Sequence, residues 1–233
     1  MESKVKLSTE KLEREKKLKK VFKIILLILI LLLLILYFVV GIIYNSGNFS
    51  ITLDKKLYFD KGLIVYDDSN YKVYRTELYA EVPNTFDNIS YKWLPDNLNE
   101  YEGGSHNGDN YLAYTFYIEN MGEQVSDYWS ELVIDDVIKN VDEAVRIRVY
   151  RNGEYVTYAK LSSRGTAEPE TVPFESDELV VREHVANFEP GDKDKYTIVI
   201  WVEGSDPECT DNILGGEFKV HLDFKSEFID EEN

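Results

Sequence analysis

Residues Ile24 to Tyr44 form an unbroken run of 21 uncharged residues, mostly Leu and Ile, with a single Gly41. As a helix rising about 1.5 Å per residue, such a run matches the hydrocarbon thickness of a bilayer. Lys16, Lys17, Lys19, Lys20 and Lys23 precede it, and the residues just after Tyr44 are neutral. The positive-inside bias then places residues 1–23 in the cytoplasm and the rest of the chain outside. Tyr37 and Tyr44 suit the outer interface. A cleaved signal peptide has an apolar region of only about 7–15 residues and a small-residue cleavage site. This run is longer, no A-x-A triplet follows it, and Asn45-Ser46-Gly47 is a weak substitute. A retained anchor is therefore expected, with a short charged helix over residues 8–20 at the inner face.

Charge follows the same division. The 233 residues include 26 Lys and Arg and 43 Asp and Glu, for a net charge of −17. Residues 1–23 hold nine basic and four acidic residues, a balance of +5. The segment beyond residue 44 holds 17 basic and 39 acidic residues, a balance of −22. Nucleic-acid binding by the large segment is excluded on this ground, because phosphate recognition needs a basic footprint. Its 189 residues are enough for one compact domain, and 13% aromatic content argues against disorder. Cys209 is the single cysteine, so no intramolecular disulfide forms. A cysteine-poor outer domain fits a Gram-positive bacterium, where the acceptor-like triplets beginning at Asn48 and Asn88 would be silent.

Beyond residue 49, short alternating runs are separated by Gly, Asn, Asp and Pro, and no helical period competes. Leu112, Tyr114, Phe116 and Ile118 face one way along a strand, and Tyr111, Ala113, Thr115 and Tyr117 the other. Val145, Ile147 and Val149 alternate with Arg146, Arg148 and Tyr150. Asn152-Gly153 is a strong hairpin signal, with a return strand from Tyr155 to Leu161. Tyr196, Ile198, Ile200 and Val202 alternate with Thr197, Val199, Trp201 and Glu203. The last strand puts Phe218, Val220, Leu222 and Phe224 inside. Segments 84–110 and 162–177 read as polar loops, and 140–144 as a single helical turn. The expectation is all-β: an antiparallel, jelly-roll-like β-sandwich outer domain preceded by a single N-terminal transmembrane helix. The divisions are a basic cytoplasmic tail at 1–23, the transmembrane helix at 24–44, the extracellular sandwich at 45–226 and an acidic tail at 227–233.

Catalytic motifs are not apparent. His106, His184 and His221 lack the ligand spacing of a zinc site such as H-E-x-x-H. No G-x-S-x-G is present, and the acidic neighbours of Cys209 disfavour a thiolate. With 39 acidic residues beyond residue 44, a carboxylate pair carries no information about glycoside hydrolysis. No catalytic or cofactor-binding residue is assigned, and no enzymatic activity is expected. Calcium is the more plausible metal: Asp206, Glu208, Asp211 and Asn212 crowd one loop, and Asp67, Asp68 and Asn70 another. Hard oxygen ligands suit it, but neither loop has a dedicated ligand pattern, and solvated acidic loops are the plainer reading. Tyrosines in the strands are compatible with glycan or partner-strand contacts and equally with packing.

The sequence Trp201-Val-Glu-Gly204, followed by Asp206-Pro-Glu-Cys209, Gly215-Gly216 and a final amphipathic strand, resembles the TasA/camelysin-type proteins of Gram-positive bacteria. Residues 107–116, 139–144, 150–153 and 190–192 support the likeness, which covers about residues 107–224. It implies a jelly-roll domain at the cell surface and a role as a biofilm-matrix protein, with an N-terminal strand donated to the next subunit by sheet-edge addition. The camelysin metallopeptidase activity of some members has no matching motif here. Donation needs a strand freed by cleavage, whereas the natural donor, Phe49–Leu53, follows the anchor. The expected function is thus a plasma-membrane-anchored surface sandwich, structural or adhesive. Its partners are the lipid bilayer through 24–44 and matrix-fibre subunits or other surface proteins. Its contact residues are expected among Phe49, Ile51, Leu53, Trp201, Glu203, Asp206 and Cys209. The alternatives are a surface metallopeptidase and a calcium- or glycan-binding module.

Overall fold

The computed structural model describes residues 2–45, 49–70, 72–73, 75–83 and 85–227, and within the first stretch the side chains of 14–40. The acidic tail past Glu227, the cleavage-like Ser46-Gly47 and the acceptor Asn48 lie outside the described residues. The chain divides into two units, Met1–Gly47 and Asn48–Asn233.

The first unit is one helix, α1 (Glu2–Asn45), so the basic tail and the apolar run are continuous helix. Within it, Arg14–Val40 is long and apolar enough to cross a membrane, and none of it is buried. Large apolar side chains from Leu18 to Val40 are exposed all round the helix. An apolar helix without a stripe has no single face to pack on a core, and this one is a candidate membrane anchor or signal sequence.

The second unit is a two-sheet sandwich. Its elements in chain order are β1 (Ser50–Leu53), α2 (Lys55–Phe59), β2 (Leu63–Tyr66), β3 (Glu77–Tyr79), β4 (Gly104–Ser105), β5 (Tyr111–Asn120) and β6 (Ser126–Ile138). There follow β7 (Val145–Arg151), β8 (Glu154–Ala159), β9 (Val172–Pro173), β10 (Leu179–Phe188), β11 (Lys193–Val202) and β12 (Glu217–Lys225). One sheet has the order β10-β6-β12-β1-β3, and the other β2-β5-β11-β7-β8-β9, with β4 also on β5. Pairing is antiparallel except for β1 with β12 and β8 with β9, which run parallel. The single-turn helix α2 was not expected from sequence; Asp54 caps it by accepting from the Lys56 amide at 2.9 Å.

The alternating patterns meet between the sheets. Ile51, Leu53, Leu132, Leu222 and Phe224 face Leu112, Phe116, Ile118, Ile147 and Ile198 in one core. The Phe116 ring stacks on Tyr196 at 5.5 Å within its sheet and meets Phe224 of the other sheet edge-on at 6.0 Å. Asn152 (φ 53°) and Gly153 (φ 93°) supply the two left-handed residues of a tight hairpin turn between β7 and β8. The helical turn expected at 140–144 is a 3-10 turn over Val141–Glu143.

Strand β5 departs from simple alternation, because it is buried on both faces. The polar segment read as a loop at 84–110 folds across the outer face of the seven-stranded sheet through 3-10 turns at Tyr91–Trp93 and Leu98–Glu100. It contributes Ile89, Leu94 and Leu98 to a second core with Ala113, Tyr150, Val199 and Trp201.

Candidate functional site

The loop leaving β11 is built on Glu203. Its Oε2 accepts from the Tyr91 amide at 2.9 Å and from Trp201 Nε1 at 3.0 Å. Its Oε1 accepts from the Ser205 amide at 3.2 Å and Ser205 Oγ at 2.6 Å. Burial pushes this carboxyl upward, but the bonds from Ser205, Trp201 and Tyr91 outweigh it and hold the pKa below its ordinary value. The Ile89 amide donates to Val202 O at 2.9 Å, and the Gly204 amide donates to Ile89 O at 2.9 Å. This staples the covering segment to the strand end. A Cβ at 204 would lie 2.4 Å from Asn88 Oδ1, so a larger residue there would displace the Asn88 side chain.

Beside it, Arg146 is buried with two carboxylates, Asp206 in direct contact and Glu168 at 3.4 Å. The guanidinium also donates to Val145 O at 3.1 Å. Asp206 Oδ1 accepts from the Glu208 amide at 2.7 Å, and Glu208 Oε1 takes the Ser163 amide and hydroxyl. One oxygen each of Glu168, Asp206 and Glu208 lies within 4.8 Å of the others. Burial raises the pKa of Glu168, and the Asp206 charge adds to it. Burial also raises Asp206 despite its bond to Arg146, whereas the Ser163 bonds lower Glu208.

Of the loop expected to hold calcium, Asp206 and Glu208 thus come together, with Glu168 as a third carboxylate from the segment read as a loop at 162–177. Asp211 and Asn212 sit instead on an exposed 3-10 turn, Asp211–Ile213. Asn212 borders an open cavity of about 690 Å³ with Glu168 and Glu208. Arg146 already supplies this cluster with a positive charge. Neither Arg146 nor Glu168 was singled out in the sequence, because one reads as the polar alternate of a strand and the other lies far along the chain. In the second acidic loop, Asp67 accepts from Tyr114 Oη at 2.6 Å and Asp68 from the Asn70 amide at 2.9 Å. The second bond fixes the turn itself, and the first ties it to β5.

The expected contact residues are mostly interior. Phe49, Ile51 and Leu53 are buried, and β1 lies between β12 and β3. The expectation of an open edge there is corrected: the strand completes its own domain, since its apolar alternates fill the sandwich core. Trp201, Glu203 and Asp206 are also buried, so they hold the covering segment rather than present a surface. Cys209 is half-buried, with its thiol pKa raised by burial and by Asp206 and Glu203.

Each histidine has separate surroundings. His106 stacks on Tyr101 at 4.1 Å and bonds Thr115 Oγ1 at 2.9 Å, and burial brings its pKa down to about 4. His184 stacks on Trp129 at 4.4 Å. His221 lies between Asp223 at 3.4 Å and Asp135 at 2.8 Å. Its hydrogen bond to Asp223 outweighs burial and, with Asp135, raises its pKa to about 9.

The sheets do have open edges. Among the described strands, β10 pairs with β6 alone. β9 covers β8 only at Tyr158 and Ala159. Residues 154–157 of β8 are thus beyond its reach, and Tyr155 and Val156 there are exposed.

No protein-family model and no curated protein matches the chain. Among solved structures, it is similar to a β-glucosidase from Kluyveromyces marxianus in complex with glucose, at 13% identity and a TM-score of 0.26. That likeness covers 73% of this chain but only 16% of the glucosidase. AvmM, which catalyses macrocyclization in alchivemycin A biosynthesis, is 7% identical with a TM-score of 0.21 over 53% of this chain and 84% of its own. Scores this low carry no argument about fold or activity.

Proposed function

We propose that the chain is a single-pass plasma-membrane protein that displays its sandwich outside the cell as a structural or adhesive module. The observation that carries the reading is the helical segment Arg14–Val40, which holds an exposed apolar window long enough to cross a membrane and is uncharged from Ile24 onward. The lysines at 16, 17, 19, 20 and 23 favour a cytoplasmic N-terminus. The resemblance of residues 107–224 to TasA/camelysin-type matrix proteins supports a role among matrix-fibre subunits or other surface proteins. Contact by strand addition would use the edge at residues 154–157 of β8, since β1 is internal. The module works without catalysis.

Alkaline carbonate extraction of cell membranes tests the anchor. The chain is expected to stay in the pellet, and release into the supernatant would sink the reading. For the edge, Tyr155→Lys with Val156→Lys should abolish co-sedimentation with matrix fibres while the sandwich stays folded. Unchanged co-sedimentation would move the contact elsewhere.

A further inference from the structure

Because α1 runs unbroken through the basic tail, the lysines acquire a geometry. Lys16, Lys19, Lys20 and Lys23 stand at i, i+3, i+4 and i+7, which places them on one face of the helix. Leu18, Val21 and Phe22 occupy the opposite face, exposed, and Lys17 lies to the side. Within residues 14–23, Glu15 is the one acidic residue. No described residue forms an ion pair with any of the four lysines. The stripe covers about 10 Å of helix axis at 1.5 Å per residue and ends one residue before the apolar run. The polar layer on each side of a bilayer is about 5–7 Å deep, so the stripe lies in that layer and just beyond it. Orienting the insertion of the helix requires charge, but not charge on one face.

We propose that this lysine stripe is a binding surface for anionic phospholipid headgroups of the inner leaflet. The inference rests on the membrane-spanning reading above. The occupant follows from charge complementarity and from continuity with the span. A cytoplasmic leaflet is the negative surface that four ammonium groups directly beside a span will meet, and juxtamembrane basic clusters concentrate such lipids.

The test uses the full chain reconstituted into phosphatidylcholine vesicles carrying a minority of phosphatidylglycerol, re-extracted in mild detergent, with the retained lipid quantified. Phosphatidylglycerol should be enriched about fivefold or more over the mixture, a factor that a single lysine near an anionic surface supplies. The variant Lys16→Gln/Lys19→Gln/Lys20→Gln/Lys23→Gln should return to the mixture ratio, and Lys17→Gln should keep most of the enrichment. High salt should lower it, and free glycerol phosphate should not compete. Equal lipid ratios for wild type and the fourfold variant would overturn the proposal. So would a loss with Lys17→Gln as large as with any stripe lysine, or full competition by glycerol phosphate. Carbonate extraction of the same vesicles separates the two readings. Anchoring without enrichment sinks only this inference, and extraction of the wild type sinks the membrane-spanning reading beneath it.

Discussion

The outer faces of the two sheets begin from the same alternating pattern and end differently. On the seven-stranded sheet the outward residues Ala113, Tyr150, Val199 and Trp201 are buried under the segment around 84–110. On the five-stranded sheet the outward residues form a ladder of charges. Glu131 holds Arg182 at 2.7 Å and Lys225 at 2.5 Å, Lys225 reaches Asp223 at 3.6 Å, and Asp223 leads to His221 and Asp135. The first face is stabilised chiefly by removing apolar surface from water, with the Glu203 carboxylate at its rim. The second is stabilised by ion pairs that solvent screens, which individually contribute little. The comparison locates most of the stability in the covered face, with an acid response at Glu203 on its rim, and an alkaline response at His221 on the open face.

The largest effects should therefore come from the covered face and its rim. Trp201→Ala should lower the unfolding free energy by about 3–5 kcal/mol, as for other buried large-to-small changes, read from denaturant melts of the protein. A loss no larger than that for the exposed Trp93→Ala would mean the cover contributes nothing. Arg146→Met leaves Asp206 and Glu168 buried without their cation and should cost about 3–5 kcal/mol. Added calcium that restored the variant but not the wild type would show the guanidinium holding a cation position.

Glu203→Gln comes next, at about 2 kcal/mol for hydrogen bonds made to a charge. Because the folded pKa is depressed, its contribution is present above the unfolded carboxyl value and is lost as pH falls through the folded one. The gap between variant and wild type should close in acid. A gap constant with pH would contradict the charge.

On the open face, His221→Gln should cost less than about 1 kcal/mol, since the site is partly solvated. Its sign is opposite. The folded pKa is raised to about 9, so its stabilisation is complete below the unfolded histidine value and fades as pH rises through about 9. An imidazole titration followed by NMR checks this directly, and a midpoint near 6.5 would remove the ladder from the account.

The two faces also explain what the sequence could reveal. The inward alternation of β12 and β5 and the Asn152-Gly153 turn were readable because period two and left-handed turn residues are local signals. Trp201 reads as the outward alternate of a strand, and only a segment about 100 residues earlier makes it interior. Long-range burial of that kind leaves no periodic trace. Likewise Phe49–Leu53 reads as a donor strand, and only its parallel register with residues 221–224 of β12 makes it an inner one. The pairing of Arg146 with Glu168 and Asp206 depends on three separate loops and strands, so the Asp206–Asn212 stretch alone showed an acidic loop and not the cation inside it.

The tether is tested most directly by mass spectrometry of the cell-associated protein, with and without external protease on intact cells. A retained N-terminal segment through residue 44, with a sandwich shaved off by protease, is the expected result. A chain beginning after Tyr44 and released to the medium, or a sandwich protected until the cells are broken, would contradict it.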